Sequence, residues 1–158
     1  MNNFFQFEMD FASSLRCIPM QVRYKLDICG IKLKLPQWNQ FSTGDRQMLL
    51  NLPCQTPQQV QIYRQTLQEL VEQTTGDKAT DLPVEAHPDW ENDLKIPDSV
   101  KAKAEEVGFS LTLAEWAKLE PIQRFVLIKL SRSSHENRNF VPALEEFHLV
   151  EKGDLIVS

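Results

Sequence analysis

The chain has 158 residues, 42% of them hydrophobic and 25% charged, and a formal net charge of −5. A chain of this length buries about 68–70% of its unfolded surface, which is enough for a core of its own, and so average a composition excludes wholesale disorder. Its longest apolar runs, such as Phe125 to Ile128, fall far short of the ~20 residues of a membrane-spanning helix.

In chain order, Phe5, Phe7, Met9 and Phe11 alternate with polar residues, the pattern of an extended segment laid on the helices. The acids Glu8 and Asp10 among them, with no basic leader, speak against a secretory signal, so the cytoplasm is the expected location. A helix is then expected from Pro19, tolerated in a first turn, to Gly30, suited to the left-handed position past a helix end. Its inward stripe is Val22, Leu26 and Cys29, and Arg23, Lys25 and Asp27 stand on the other face. Ile31, Leu33 and Leu35 alternate with Lys32 and Lys34, a short extended segment. Pro36 opens a short helix carrying Trp38. Ser42 with Asp45 starts a helix that buries Met48, Leu49 and Leu52, and Thr56-Pro57 with Gln59 starts the longest one, through Tyr63, Leu67 and Val71 to about Gly76. An acidic connector, about 77–95, follows as irregular surface chain, with Trp90 and Leu94 as candidates to pin it down.

Beyond the connector the pattern begins again. Ile18-Pro19, Val22, Gly30, Leu33, Leu35, Trp38, Arg46, Leu49 and Leu52 are matched by Ile96-Pro97, Val100, Gly108, Leu111, Leu113, Trp116, Arg124, Leu127 and Leu130. Residues 19 and 97 differ by 78, as do 38 and 116, and the register holds without a gap. The alternating segments Ile31–Leu35 and Phe109–Leu113 are candidates to pair with each other. Thr112 and Glu115 form a capping box before Trp116, and a last helix should begin near Asn139 and bury Phe140, Leu144 and Phe147. The expected fold is all-α (mainly helical). A single domain, 1–158, contains two pseudo-repeats, about 16–76 and 96–150, which share one core.

Charge is distributed unevenly. Between Asp77 and Asp98 seven acids face only Lys78 and Lys95, and that excess equals the net charge of the whole chain. Between Arg16 and Cys54 six bases face two acids. Such a division can steer a charged partner, but with a pI near 5.2 it is not the footprint of a nucleic-acid binder.

Chemistry-bearing residues are sparse. The three cysteines Cys17, Cys29 and Cys54 lack the short spacing of zinc or iron–sulfur ligands, and no secretory signal accompanies them to imply disulfides. Cys29 aligns with Val107 and reads as a small core residue, whereas Cys17 and Cys54 lie near element ends, where exposure is possible. His87, His135 and His148 form no helix-spaced pair. No phosphate loop, nucleophile elbow or zinc-protease motif occurs, so no catalytic residue and no bound cofactor is expected. Trp38 and Trp116 read as core residues, and Arg46 and Arg124 as makers of one structural bond used twice. Recognition is expected where the repeats differ: Arg16, Arg23, Lys25, Lys32 and Lys34 on the first, and the polar stretch with Arg132, His135, Glu136, Asn137 and Asn139 on the second.

Leu15-Arg-Cys-Ile-Pro-Met20, Lys25-Leu-Asp-Ile-Cys-Gly-Ile-Lys-Leu33, Leu52-Pro-Cys54, Gln123-Arg-Phe125, Leu130-Ser-Arg132, His135-Glu-Asn137 and Asn139-Phe140 together resemble the cyanobacterial nitrate reductase-associated protein family. The resemblance spans nearly the whole chain. It implies a small cytoplasmic accessory protein needed for an active assimilatory nitrate reductase, a molybdenum and iron–sulfur enzyme, and it brings no catalytic residues. Two functions follow as expectations: a non-catalytic partner of the reductase, or a carrier that uses Cys17 and Cys54 to hold a metal or cofactor during maturation.

Overall fold

A computed structural model describes residues 4–132 and 137–151 and shows a mainly helical chain, as expected. The chain divides into two compact units, Met1–Glu85 and Ala86–Ser158, with the boundary inside the acidic connector.

The first unit opens with a 3-10 turn, Gln6–Glu8, and continues through α1 (Met9–Ala12), α2 (Met20–Cys29), β1 (Ile31–Lys32), α3 (Leu35–Gln40), α4 (Thr43–Asn51), α5 (Pro57–Thr75) and β2 (Thr80–Asp81). The helix starts follow the sequence signals. Gln59 N donates to Thr56 Oγ1 at 3.2 Å while Thr56 N donates to Gln59 Oε1 at 3.1 Å, the reciprocal box that begins α5. Asp45 N donates to Ser42 Oγ at 3.0 Å before α4. Gly30 and Gly76 end α2 and α5 in the left-handed conformation. The core gathers Val22, Leu26 and Cys29 of α2, Trp38 of α3, Leu49 and Leu50 of α4, and Tyr63, Leu67 and Val71 of α5. Met48, expected inside, is exposed, because α4 turns Leu49 and Leu50 to the core instead.

Two expectations about the backbone also fail in this unit. The alternating phenylalanines are a turn followed by α1, not an extended segment. Glu8 decides this. Its side chain is 1% exposed, Oε1 accepts from Phe5 N at 3.2 Å and Oε2 from Met20 N at 3.0 Å, so one carboxylate closes the turn and also serves the open start of α2. β1 also does not pair with the matching segment of the second repeat. It pairs antiparallel with β2 of the connector, Ile31 opposite Asp81 and Lys32 opposite Thr80, while residues 109–112 form no strand. Side chains of α5 bring the connector there: Gln68 bonds both Ala79 N and Ala79 O, and Arg64 bonds Cys29 O, Gly30 O and the Asp81 carboxylate.

That latch makes Gly30 sensitive. A Cβ at Gly30, φ +77°, would stand 2.6 Å from Val84 Cγ2 and 3.0 Å from Leu82 O, whereas one at Gly108, φ +84°, would meet nothing within 4 Å. Gly108→Ala should therefore cost only the left-handed penalty of about 1–2 kcal/mol. Gly30→Ala should cost more and loosen the connector. Urea unfolding of both variants, with proteolysis near residue 82 as a second readout, measures the difference; equal losses would show that the contact with Val84 does not constrain the connector.

In the second unit a 3-10 turn, Asp89–Glu91, precedes α6 (Asp98–Glu106), α7 (Leu113–Lys118), α8 (Pro121–Arg132), a turn at Asn137–Asn139 and α9 (Phe140–Glu146). The box Thr112/Glu115 begins α7, with Glu115 N to Thr112 Oγ1 at 3.2 Å and Thr112 N to Glu115 Oε1 at 3.0 Å. Helix α8 is buried on several faces, from Arg124 to Ile128 and again at Leu130, and lies against α6, α9 and the Asp89–Glu91 turn. Trp90 of that turn is half-buried, but Leu94 is 78% exposed and pins nothing. Helices α2, α3 and α4 begin at Met20, Leu35 and Thr43, and α6, α7 and α8 at Asp98, Leu113 and Pro121, the same offset each time.

Candidate functional site

The two tryptophans and two arginines form matching clamps. Trp38, fully buried, donates from Nε1 to Leu15 O at 2.8 Å; Trp116, equally buried, donates from Nε1 to Asn92 O at 2.8 Å. Arg46 donates to Trp38 O, Leu15 O and Asn39 O, and Arg124 to Trp116 O, Trp90 O and Leu119 O. In each unit the arginine thus satisfies last-turn carbonyls of the tryptophan helix, where a cation also meets the negative end of the helix dipole, and ties that helix to the preceding chain. Leu15, at φ +61°, holds its carbonyl toward both groups of the first clamp. These four residues are scaffold.

Lys25 belongs to the scaffold as well. It lies half-buried, donates from Nζ to Leu50 O at 2.8 Å and Leu52 O at 2.7 Å, and stands 5.7 Å from the centre of the Tyr63 ring. It therefore closes the end of α4, and burial lowers its pKa although Cys54 pulls it upward. Cys54, expected near the surface, is 3% exposed beside it, because the turn after α4 folds it onto the backbone of α2. Burial pushes the Cys54 thiol up to about 11 and the Cys29 thiol to about 12, and keeps Tyr63 well above its ordinary range. Thiols in that state are poor nucleophiles and poor metal ligands. Among the described residues, no three of His, Cys, Asp or Glu are grouped to hold a metal.

A pH dependence follows from these shifts. Cys29, Cys54 and Tyr63 stay protonated in the folded chain where the unfolded chain ionises, so the stability they contribute is complete below their ordinary values of 9.0 and 10.0 and is lost as pH rises through the raised ones. Lys25 works oppositely, since its lowered pKa makes the folded state gain as pH climbs toward 10.5. Three groups against one give a net loss of stability above about pH 9. Urea midpoints measured from pH 7 to 10.5 should fall, and Cys29→Val, copying Val107, should flatten the fall; parallel curves would contradict the assignment. In the native chain only the half-buried Cys17 should react promptly with a thiol reagent.

The expected recognition residues are scattered. Arg16, Lys32 and Lys34 are exposed, whereas Arg23 is half-buried and donates from Nε to Ile18 O at 3.0 Å. His135 and Glu136 lie outside the described residues, Asn137 contributes backbone to a turn, and Asn139 is half-buried. Arg132 is the member of that stretch with a visible setting. It closes one side of a cleft of about 260 Å³ with Asp89, Asn92, Lys95, Pro97, Asp98 and Ser99. Its Nη2 lies 3.5 Å from Asp89 Oδ2 and its Nε 3.4 Å from Ser99 Oγ. Sequence reasoning missed Asp89, Asn92, Lys95 and Ser99, because only the fold brings residues 89–99 beside the end of α8.

No described helix is long and apolar enough to cross a membrane. No curated protein and no solved structure matches the chain. The family described as conserved nitrate reductase-associated protein matches residues 4–147, nearly all of the described chain and both units, and the chain therefore belongs to that family.

Proposed function

We propose that this protein is a non-catalytic accessory factor that binds assimilatory nitrate reductase in the cytoplasm and is needed for its activity, acting in the enzyme's assembly, maturation or stabilisation. The observation that carries this reading is the family match across residues 4–147. The surface offers two kinds of contact for such a partner: the exposed cations Arg16, Lys32 and Lys34 on the first unit, and Arg132 with its cleft on the second. Charged surface of this kind favours fast, selective association more than raw affinity.

Deleting the gene from a nitrate-grown host should abolish reductase activity, and a tagged copy should restore it and co-purify the reductase. The triple variant Arg16→Glu/Lys32→Glu/Lys34→Glu should weaken that recovery at unchanged thermal stability. Normal reductase activity in the deletion strain would sink the proposal, and full recovery with the triple variant would remove the basic face from it.

The alternative, a carrier using Cys17 and Cys54, loses support from the burial of Cys54 and its raised pKa. Metal analysis and a visible spectrum of anaerobically purified protein test it directly, and stoichiometric metal or a chromophore would restore it.

A further inference from the structure

The acidic connector is held by the first unit and also covers part of it. Residues 77–85 carry Asp77, Asp81 and Glu85 against Lys78, and the middle of this stretch lies along β1 and α5 as a strap. The first unit grips the strap's backbone as it would an added strand. Gln68 bonds Ala79 N at 2.9 Å and Ala79 O at 3.1 Å, Leu82 N donates to Gly30 O at 2.8 Å, and β1 stands opposite Thr80 and Asp81. Ala79 is buried, whereas Thr80, Asp81 and Val84 are exposed.

These attachments are of a kind that opens. A ladder of two residues on two strands is marginal by itself. The Arg64–Asp81 pair has side chains 38% and 76% exposed, where an ion pair contributes little. At the near end a Cβ at Gly76 would meet nothing within 4 Å, so no packing opposes a hinge there. A segment with so few buried groups belongs to the low end of local stability and opens as one piece. What the strap hides is the backbone edge of β1, a template for an extended segment, and Nη2 of Arg64. Arg64 keeps Nη1 on Cys29 O and Gly30 O, both at 2.9 Å, so this cation stays in place when Asp81 leaves. The same strand carries the exposed Lys32, with the exposed Lys34 two residues on. A bare strand edge next to Arg64, Lys32 and Lys34 fits an extended acidic segment, and the strap is itself such a segment.

We propose that residues 77–85 are an autoinhibitory strap: closed, they occupy the β1 edge and Arg64; opened as a unit, they yield both to an extended acidic segment of the partner protein. The inference rests on the accessory-factor reading for the identity of the partner, and on the strap's own contacts for the site and its chemistry.

Native-state hydrogen exchange of the full-length chain tests the opening, and titration with purified nitrate reductase tests what it releases. The Ala79 and Leu82 amides should exchange through one shared opening, about tenfold or more ahead of the Leu67 amide in α5. The double variant Gln68→Ala/Asp81→Ala should speed exchange at Leu82 about tenfold and leave Leu67 unchanged. Because the binding-competent form is the minor one, the apparent affinity for the reductase should rise by the same factor. Gly108→Ala, which weakens the second unit and leaves the strap alone, should bind as the wild type does. Exchange of Ala79 and Leu82 only together with Leu67, or an unchanged rate at Leu82 in the double variant, overturns the opening. If the wild type binds the reductase and the double variant binds no better, or Gly108→Ala gains as much, the inhibition is overturned. If neither the wild type nor the double variant binds the reductase while Leu82 responds as expected, it is the accessory-factor reading that fails.

Discussion

Replacing Trp38 by alanine should lower the stability of the first unit by about 3–5 kcal/mol, the range for removing a large aromatic side chain from a closed core. The indole is fully buried, meets Phe41 edge-on at 6.2 Å between ring centres, and bonds Leu15 O. Alanine would leave a cavity among α3, α4 and α5, and the surrounding helices relax only in part. Leu15 O would keep its bond from Arg46 Nη1, so cavity formation should dominate over the lost hydrogen bond. Trp38→Phe isolates the smaller effects and should cost about 1–2 kcal/mol. Trp116→Ala should match Trp38→Ala in size and add the loss of the partner of Asn92 O. Equilibrium unfolding in urea, followed by circular dichroism, reads all three; a Trp38→Ala variant within 1 kcal/mol of the wild type would mean the indole is not the centre of its core.

The second large effect is expected at Arg124. Its side chain is 6% exposed and donates to Trp90 O at 2.8 Å, Leu119 O at 2.5 Å and Trp116 O at 3.4 Å. Methionine fills much of the volume but removes the guanidinium bonds to these carbonyls in a buried setting, although Trp116 O keeps a bond from Leu119 N at 3.2 Å, at a cost of about 3 kcal/mol. Lysine should recover little, because one ammonium cannot span carbonyls arranged for a planar fork. Arg46→Met removes the corresponding bonds, yet Arg46 is less buried and water can replace it, so the loss there should be nearer 1 kcal/mol. The two methionine variants, compared in one denaturant series, separate burial from bond count. Equal losses would show that burial does not set the cost.

The clamps also show why parts of this chain can be read from its residues. Thr56 with Gln59, Thr112 with Glu115, and Ser42 begin helices through bonds that span three residues, so the signal and its effect lie within one turn. Gly30, Gly76 and Gly108 act through their own φ angles. The equal spacing of tryptophan and arginine in the two halves pointed to a shared structural bond, and both arginines do bond the carbonyl of the tryptophan eight residues earlier.

The misread segments depend on distant partners. Phe5 to Phe11 has the alternation of a strand, but a strand needs a neighbour, and Glu8 finds Met20 N instead. Ile31 and Lys32 do pair, with Thr80 and Asp81, which Gln68 and Arg64 hold in place. Lys25 has the sequence setting of a surface cation, and only the position of α4 shows that its ammonium closes a helix end. Cys54 is buried for the same reason. The cleft beside Arg132 joins residues more than 30 positions apart, for which no local spacing exists.

Local rules in this chain thus determined where helices start and stop, which faces are apolar, and why three helix starts recur at one offset. Those rules act over one or two turns, through dihedral preference and nearby hydrogen bonds. Tertiary structure alone decided which polar side chains turn inward, what β1 pairs with, and where an open polar cleft remains. Such choices depend on acceptors brought together from remote segments, and a buried donor or carboxylate goes wherever the folded chain supplies its partner.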